Sequence, residues 1–142
     1  MLWDNESKSK VAEVDFFDPI SDLKVVGGWV ILTVKNVVIV FDFEAESGLD
    51  SEICKFETHV DLKSQVSAAC GSDGSLTVIV PFADKEVKKI QCYKDGKVED
   101  TNHTLDDKYV FCAIADGAQY AAFANIHGNY FTIYRLESFE KI

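Results

Sequence analysis

Apolar residues in this chain come in short, dense runs separated by polar breaks. Residues 27–44 read GGWVILTVKNVVIVFDFE, and thirteen of the eighteen are Val, Ile, Leu, Phe, Trp or Gly. A Lys35-Asn36 pair divides them into two stretches, 29–35 and 37–43, rich in β-branched and aromatic side chains. Each has strand length, so the pair predicts a β-hairpin. The apolar density is too high for a sheet with one wet face, so other sheets should cover both faces.

The pattern recurs. SAACGSDGSLTVIVPFADKEVKKIQCYK and KYVFCAIADGAQYAAFANIHGNYFTIYRLE each read as strand, turn, strand, polar turn, strand. The turn glycines Gly28, Gly74 and Gly117 are 46 and 43 residues apart. The third strands end in Phe41-Asp42, Cys92-Tyr93 and Tyr134-Arg135, and Trp3-Asp4 looks like the tail of one more. Short fourth strands fall at 11–17, 52–59 and 97–105. Helical spacing is nearly absent, and the stretch 47–55 with Gly48 reads as a loop leading into a strand. Four strands in a period of about 40 to 47 residues match a β-propeller blade. The expected fold is all-β: one partial propeller domain over 1–142, with blades near 20–59, 66–105 and 108–142 and residues 1–17 completing a preceding blade. Three blades alone leave two apolar sheet faces bare. The chain is therefore expected to be a fragment of a longer propeller or to pair with another chain.

Charge narrows the function classes. A formal net charge of -10 on 142 residues opposes binding to nucleic acid or anionic lipid through the whole surface. No run is long enough to span a bilayer, and MLWDNESKSK lacks a secretory pattern, so a cytoplasmic protein is expected. Cys54, Cys70, Cys92 and Cys112 lie about twenty residues apart and read as reduced, partly buried thiols. His59, His103 and His127 fit no zinc spacing. No nucleophile elbow, Walker loop or dinucleotide fingerprint occurs, so neither an enzyme nor a cofactor is expected. GSDGS at 71–75 precedes a strand rather than a helix, which makes it a turn and not a phosphate cradle. Asp106-Asp107 lies between strands and reads as a solvated loop.

Trp3-Asp4, Ile20 to Val25, Val30 to Val34 and Val37 to Phe43 together resemble the PROPPIN family, WD-repeat-like propellers that bind phosphoinositides. Pro81 fits the following blade, although the glycine usual before its second strand is missing near Glu86. Asp116, Gly117, Ala122, Ala124, Gly128, Ile133 and Tyr134 resemble the blade after that. The resemblance implies a seven-bladed propeller with two rim sites for phosphatidylinositol 3-phosphate or bisphosphate. It also implies peripheral association with endosomal or autophagic membranes, and autophagy or trafficking proteins as partners. The family's Phe/Leu-Arg-Arg-Gly motif is expected a few residues after Ile142, and this chain holds one arginine, Arg135. The family's polar strand pair beside its first lipid site falls on Asn125, Asn129 and Thr132, without the family's hydroxyls and arginine. His103 lies near a position where the family has a lipid-site histidine; the other reading is an exposed loop residue. A generic WD-repeat scaffold that binds only proteins stays open as the alternative.

Overall fold

The described residues of this computed structural model hold fourteen short strands, joined by turns, and no helix. It describes residues 2–4, 9–12, 18–43, 54–57, 66–83, 85–125 and 129–142. His59, His127, Gly128 and most of the stretches 11–17 and 47–53 lie outside them. The central hairpin is β4 (Trp29–Val34) and β5 (Val37–Asp42). Lys35 turns the chain between them with a φ of 53°. β3 (Asp22–Val26) and β6 (Cys54–Glu57) flank this pair in a four-stranded antiparallel sheet of order β3-β4-β5-β6.

Two further four-stranded sheets repeat the plan. The second holds β7 (Ser67–Cys70), β8 (Leu76–Ala83), β9 (Glu86–Cys92) and β10 (Val98–Thr104). The third holds β11 (Tyr109–Ile114), β12 (Tyr120–Asn125), β13 (Phe131–Arg135) and β14 (Glu140–Lys141). Both keep chain order across the sheet. β1 (Leu2–Asp4) and β2 (Ser9–Ala12) form a separate antiparallel pair.

Alternation within each strand decides which sheet meets which. Trp29, Ile31, Val38 and Val40 from the first sheet share one core with Leu76, Val78, Val80, Ile90 and Cys92 from the second. The opposite face of the second sheet, with Ile79 and Val87, joins Tyr109, Ala121, Phe123 and Tyr134 of the third. The sheets are therefore stacked in sequence, and the middle one is covered on both faces. β7 lies against both β3 and β11, so the first strands of successive sheets are neighbours. Gly117 N donates to Cys70 O at 3.1 Å and ties the third sheet's turn to the second sheet.

Two turn details refine the sequence reading. The left-handed glycine before β4 is Gly27, with a φ of 57°, rather than Gly28. A Cβ at Gly27 would lie 2.6 Å from Cys70 Sγ, so close sheet packing also requires glycine there. GSDGS is a turn: Asp73 Oδ1 accepts from Ser75 N at 3.0 Å and from Ser75 Oγ at 2.6 Å. The hydroxyl bond, more than the backbone bond, holds the Asp73 carboxyl below its ordinary range.

The two end faces differ. On the first sheet, Val30, Leu32, Ile39 and Phe41 are buried in their own cluster, while Leu23 and Val25 of β3 on the same face are exposed. Only part of that face is open. On the third sheet, Phe111, Phe131, Ile133 and Tyr120 are all exposed. The register sets Phe111, Ala124 and Phe131 side by side, with Ala113, Ala122 and Ile133 as the next row.

Candidate functional site

The sequence points to the loop end of the third sheet, where a small cavity of about 110 Å³ opens. The β10–β11 connection supplies Asp106, Asp107 and Lys108, and the β12–β13 hairpin supplies Asn125, Tyr130 and Thr132. β11 brings Tyr109 and β14 brings Lys141. Chain order does not show this meeting, because Asp106 and Lys141 are far apart in sequence yet paired at 2.6 Å.

Asn125 is buried and its amide is already in use. Its Nδ2 donates to Asn129 Oδ1 at 2.9 Å, and its Oδ1 accepts from Asn129 N at 3.1 Å. The two asparagines thus brace the hairpin. Thr132 lines the cavity from β13, half-buried opposite Phe123. His103 does not line it. It sits in β10, half-buried, with Nε2 2.8 Å from Thr101 Oγ1 and its ring stacked on Phe139 at 4.0 Å. It is therefore not an exposed loop histidine. Burial first, and Lys89 second, push its pKa below the ordinary value, so the ring is neutral near pH 7. Phe139 in turn contacts Phe123 and Tyr134, which form the cavity's apolar wall.

Charge at the cavity is balanced. Asp106 and Asp107 offset Lys108 and Lys141, and the Asp106 bond raises the Lys141 pKa. Tyr130 Oη donates to Asp107 Oδ2 at 2.9 Å, which holds the phenol proton in place and raises its pKa. Tyr109 is different. Its hydroxyl is buried without a hydrogen-bond partner, and burial drives its pKa well above the ordinary phenol value. Nothing in KYVF announces this, since strand tyrosines commonly pack a ring and keep the hydroxyl wet.

An unpaired buried hydroxyl carries a desolvation cost of about 1–3 kcal/mol. Tyr109→Phe should therefore leave stability unchanged or raise it by roughly 1 kcal/mol. Urea unfolding of the two proteins measures this, and a loss above about 1 kcal/mol would mean that the hydroxyl has a partner.

A larger cleft of about 510 Å³ lies between the second and third sheets, lined by Lys89, Gln91, Gln119, Tyr120, Arg135 and Glu137. Lys89 Nζ donates to Leu136 O at 2.6 Å, and its partial burial lowers its pKa. The single arginine is here and not beside Asn125 and Thr132. Among the described residues no group of His, Cys, Asp and Glu could hold a metal ion, and no helix is long and apolar enough to cross a membrane.

No protein-family model and no curated protein matches the chain. Solved structures do. A Kluyveromyces lactis Hsv2 structure superposes with a TM-score of 0.72 at 12% identity, covering 99% of this chain and 42% of that one. Kluyveromyces marxianus Hsv2 gives 0.68 at 14% identity, with 99% of this chain and 40% of that one covered. KlAtg21, solved in complex with the coiled-coil of AgAtg16, gives 0.67 at 14% identity over 94% of this chain and 42% of that one. The chain spans about two fifths of the length of the solved chains it matches. These neighbours are PROPPIN β-propellers. Sequence resemblance and backbone geometry agree: the chain has the fold of part of a PROPPIN-type β-propeller.

Proposed function

We propose that this chain is part of a phosphoinositide-binding propeller that associates peripherally with endosomal or autophagic membranes and acts as a non-enzymatic adaptor. The match of 99% of the chain to Hsv2 is the observation that carries this reading. The KlAtg21 complex suggests a coiled-coil protein as the class of partner. In this reading the chain supplies three blades, divided near 20–59, 66–105 and 108–142, while residues 1–17 belong to the blade before. The family's arginine pair is not among these residues, which hold the single arginine Arg135. Asn125 and Thr132 contribute a wall beside one lipid site rather than its cations; Asn129 braces Asn125, and His103 lies behind that wall, stacked on Phe139.

The specific observation favouring a protein-only scaffold is the cavity's chemistry. Two carboxylates line it, the buried amide is bonded to Asn129, and Lys141 is paired. An inositol phosphate needs free cationic donors. The test is sedimentation with liposomes containing phosphatidylinositol 3-phosphate, run on this chain and on the full-length propeller it is proposed to belong to. The chain should stay in the supernatant, given its net charge of -10. The full-length protein should pellet, less as salt rises. Pelleting of both would place the lipid site within these residues. Pelleting of neither would favour the scaffold.

A further inference from the structure

Two of the four thiols meet across the first sheet interface. Cys54 opens β6, at the edge of the first sheet, and Cys92 closes β9 of the second. Their Sγ atoms are 3.7 Å apart. Cys92 is fully buried in the shared core, and Cys54 packs against that core half-buried. We propose that Cys54 and Cys92 are a reversible oxidative modification site, closed to an inter-sheet disulfide by a small-molecule disulfide of the glutathione type.

The geometry favours this pair. A disulfide holds its sulfurs about 2.05 Å apart, so the gap must close by roughly 1.7 Å. β6 is an edge strand and can move that far more easily than a central one. The other two thiols are placed differently. Cys70 Sγ donates to Val26 O at 3.6 Å. Burial pushes the Cys112 thiol up to about 12, which keeps it protonated and unreactive. The hydrogen bond with Cys54 instead lowers Cys92, against the opposing effect of burial.

The exchange balances in two steps. The Cys54 thiolate attacks one sulfur of the external disulfide, forms a mixed disulfide and releases one thiolate. The Cys92 thiolate then attacks Cys54 Sγ, breaks the mixed disulfide and releases the second thiolate. The two protein protons pass to the two released thiolates, so one external disulfide is reduced and two protein thiols are oxidised. Partial exposure of Cys54 and full burial of Cys92 assign the entering and resolving roles. The closed bridge ties β6 to the second sheet and restricts the unfolded chain between the two positions.

The experiment treats the native full chain with excess oxidised glutathione, blocks free thiols with N-ethylmaleimide, and maps the digest by mass. A linked Cys54–Cys92 peptide is expected, with Cys70 and Cys112 alkylated. The melting temperature should rise by about 5 °C or more and return on adding dithiothreitol. Cys92→Ala should stop at the Cys54–glutathione adduct. The unmutated chain suffices if that variant folds poorly. A persistent Cys54–glutathione adduct without the linked peptide would overturn the proposal. So would an unreacted Cys54, or links through Cys70 or Cys112 as abundant as the expected one.

Discussion

Trp29→Ala should cost about 3–5 kcal/mol, against the roughly 5–15 kcal/mol that a domain of this kind has in total. Trp29 is fully buried at the first interface and does three things there. Its ring fills the shared core of the first and second sheets. Its indole N–H donates to Gly74 O at 3.0 Å, reaching the turn that precedes β8. Lys94 of the second sheet sits over the ring with Nζ 4.6 Å from its centroid. That ammonium also bonds Asp42 Oδ1 at 3.2 Å, and Asp42 is the cross-strand partner of Trp29. Truncation removes the ring and leaves the Gly74 carbonyl without its donor. Trp29→Phe keeps much of the ring volume but loses the N–H, so its loss should be smaller, about 1–3 kcal/mol. Urea midpoints at constant m-value give both numbers. Equal losses in the two variants would mean that the hydrogen bond, not the packing, holds the sheets together. A loss below about 0.5 kcal/mol for Trp29→Ala would mean that the sheets are not stacked on this face.

The second large effect is on association. Phe111 is 68% exposed and Phe131 66% exposed, and they flank Ala124 on the outer face of the third sheet. Ile133 and Tyr120 extend the same surface. The inner face of this sheet is apolar in the same way but is covered by the second sheet. An uncovered apolar face of this kind drives contact with a complementary sheet. The isolated chain should therefore self-associate with rising concentration. Phe131→Glu combined with Ile133→Glu should abolish that association, with a change in stability of only about 0.5 kcal/mol. Sedimentation velocity over a hundredfold concentration range separates the cases. A well-behaved unmutated monomer would show that this face needs no cover. A large loss of stability in the double variant would show that the face is already covered within the chain.

The sheets were legible because burial on two faces leaves a trace in sequence. Val30, Leu32, Val38, Val40, Val78 and Val80 sit in dense β-branched runs, and all six are buried. The hairpin register followed from Lys35-Asn36, and the recurrence of strand and turn gave the stacking order. β10 and β14 are mostly exposed and leave weaker traces. The candidate site was less legible. Asn125, Asn129 and Thr132 do meet at one hairpin, but pattern alone could not show that Asn125 spends its amide on Asn129. His103 reads as a polar position in an open strand until Phe139 folds back from the β13–β14 turn to stack on it. The clamp at Trp29 joins residues separated by 45 and 52 positions along the chain. Such contacts depend on sheet-to-sheet placement, which strand periodicity does not encode.

Methyl-to-methyl nuclear Overhauser contacts test the stacking of these sheets most directly, because each interface has its own set of buried aliphatic residues. The account requires contacts between Ile31, Val38 or Val40 and Leu76, Val78 or Ile90, and separate contacts between Ile79 or Val87 and Ala121. It also requires none between Ile31, Val38 or Val40 of the first sheet and Ala121 of the third, across the middle sheet. Strong contacts linking Val38 or Val40 to Ala121, with those to Val78 missing, would contradict the consecutive stacking on which the propeller assignment rests.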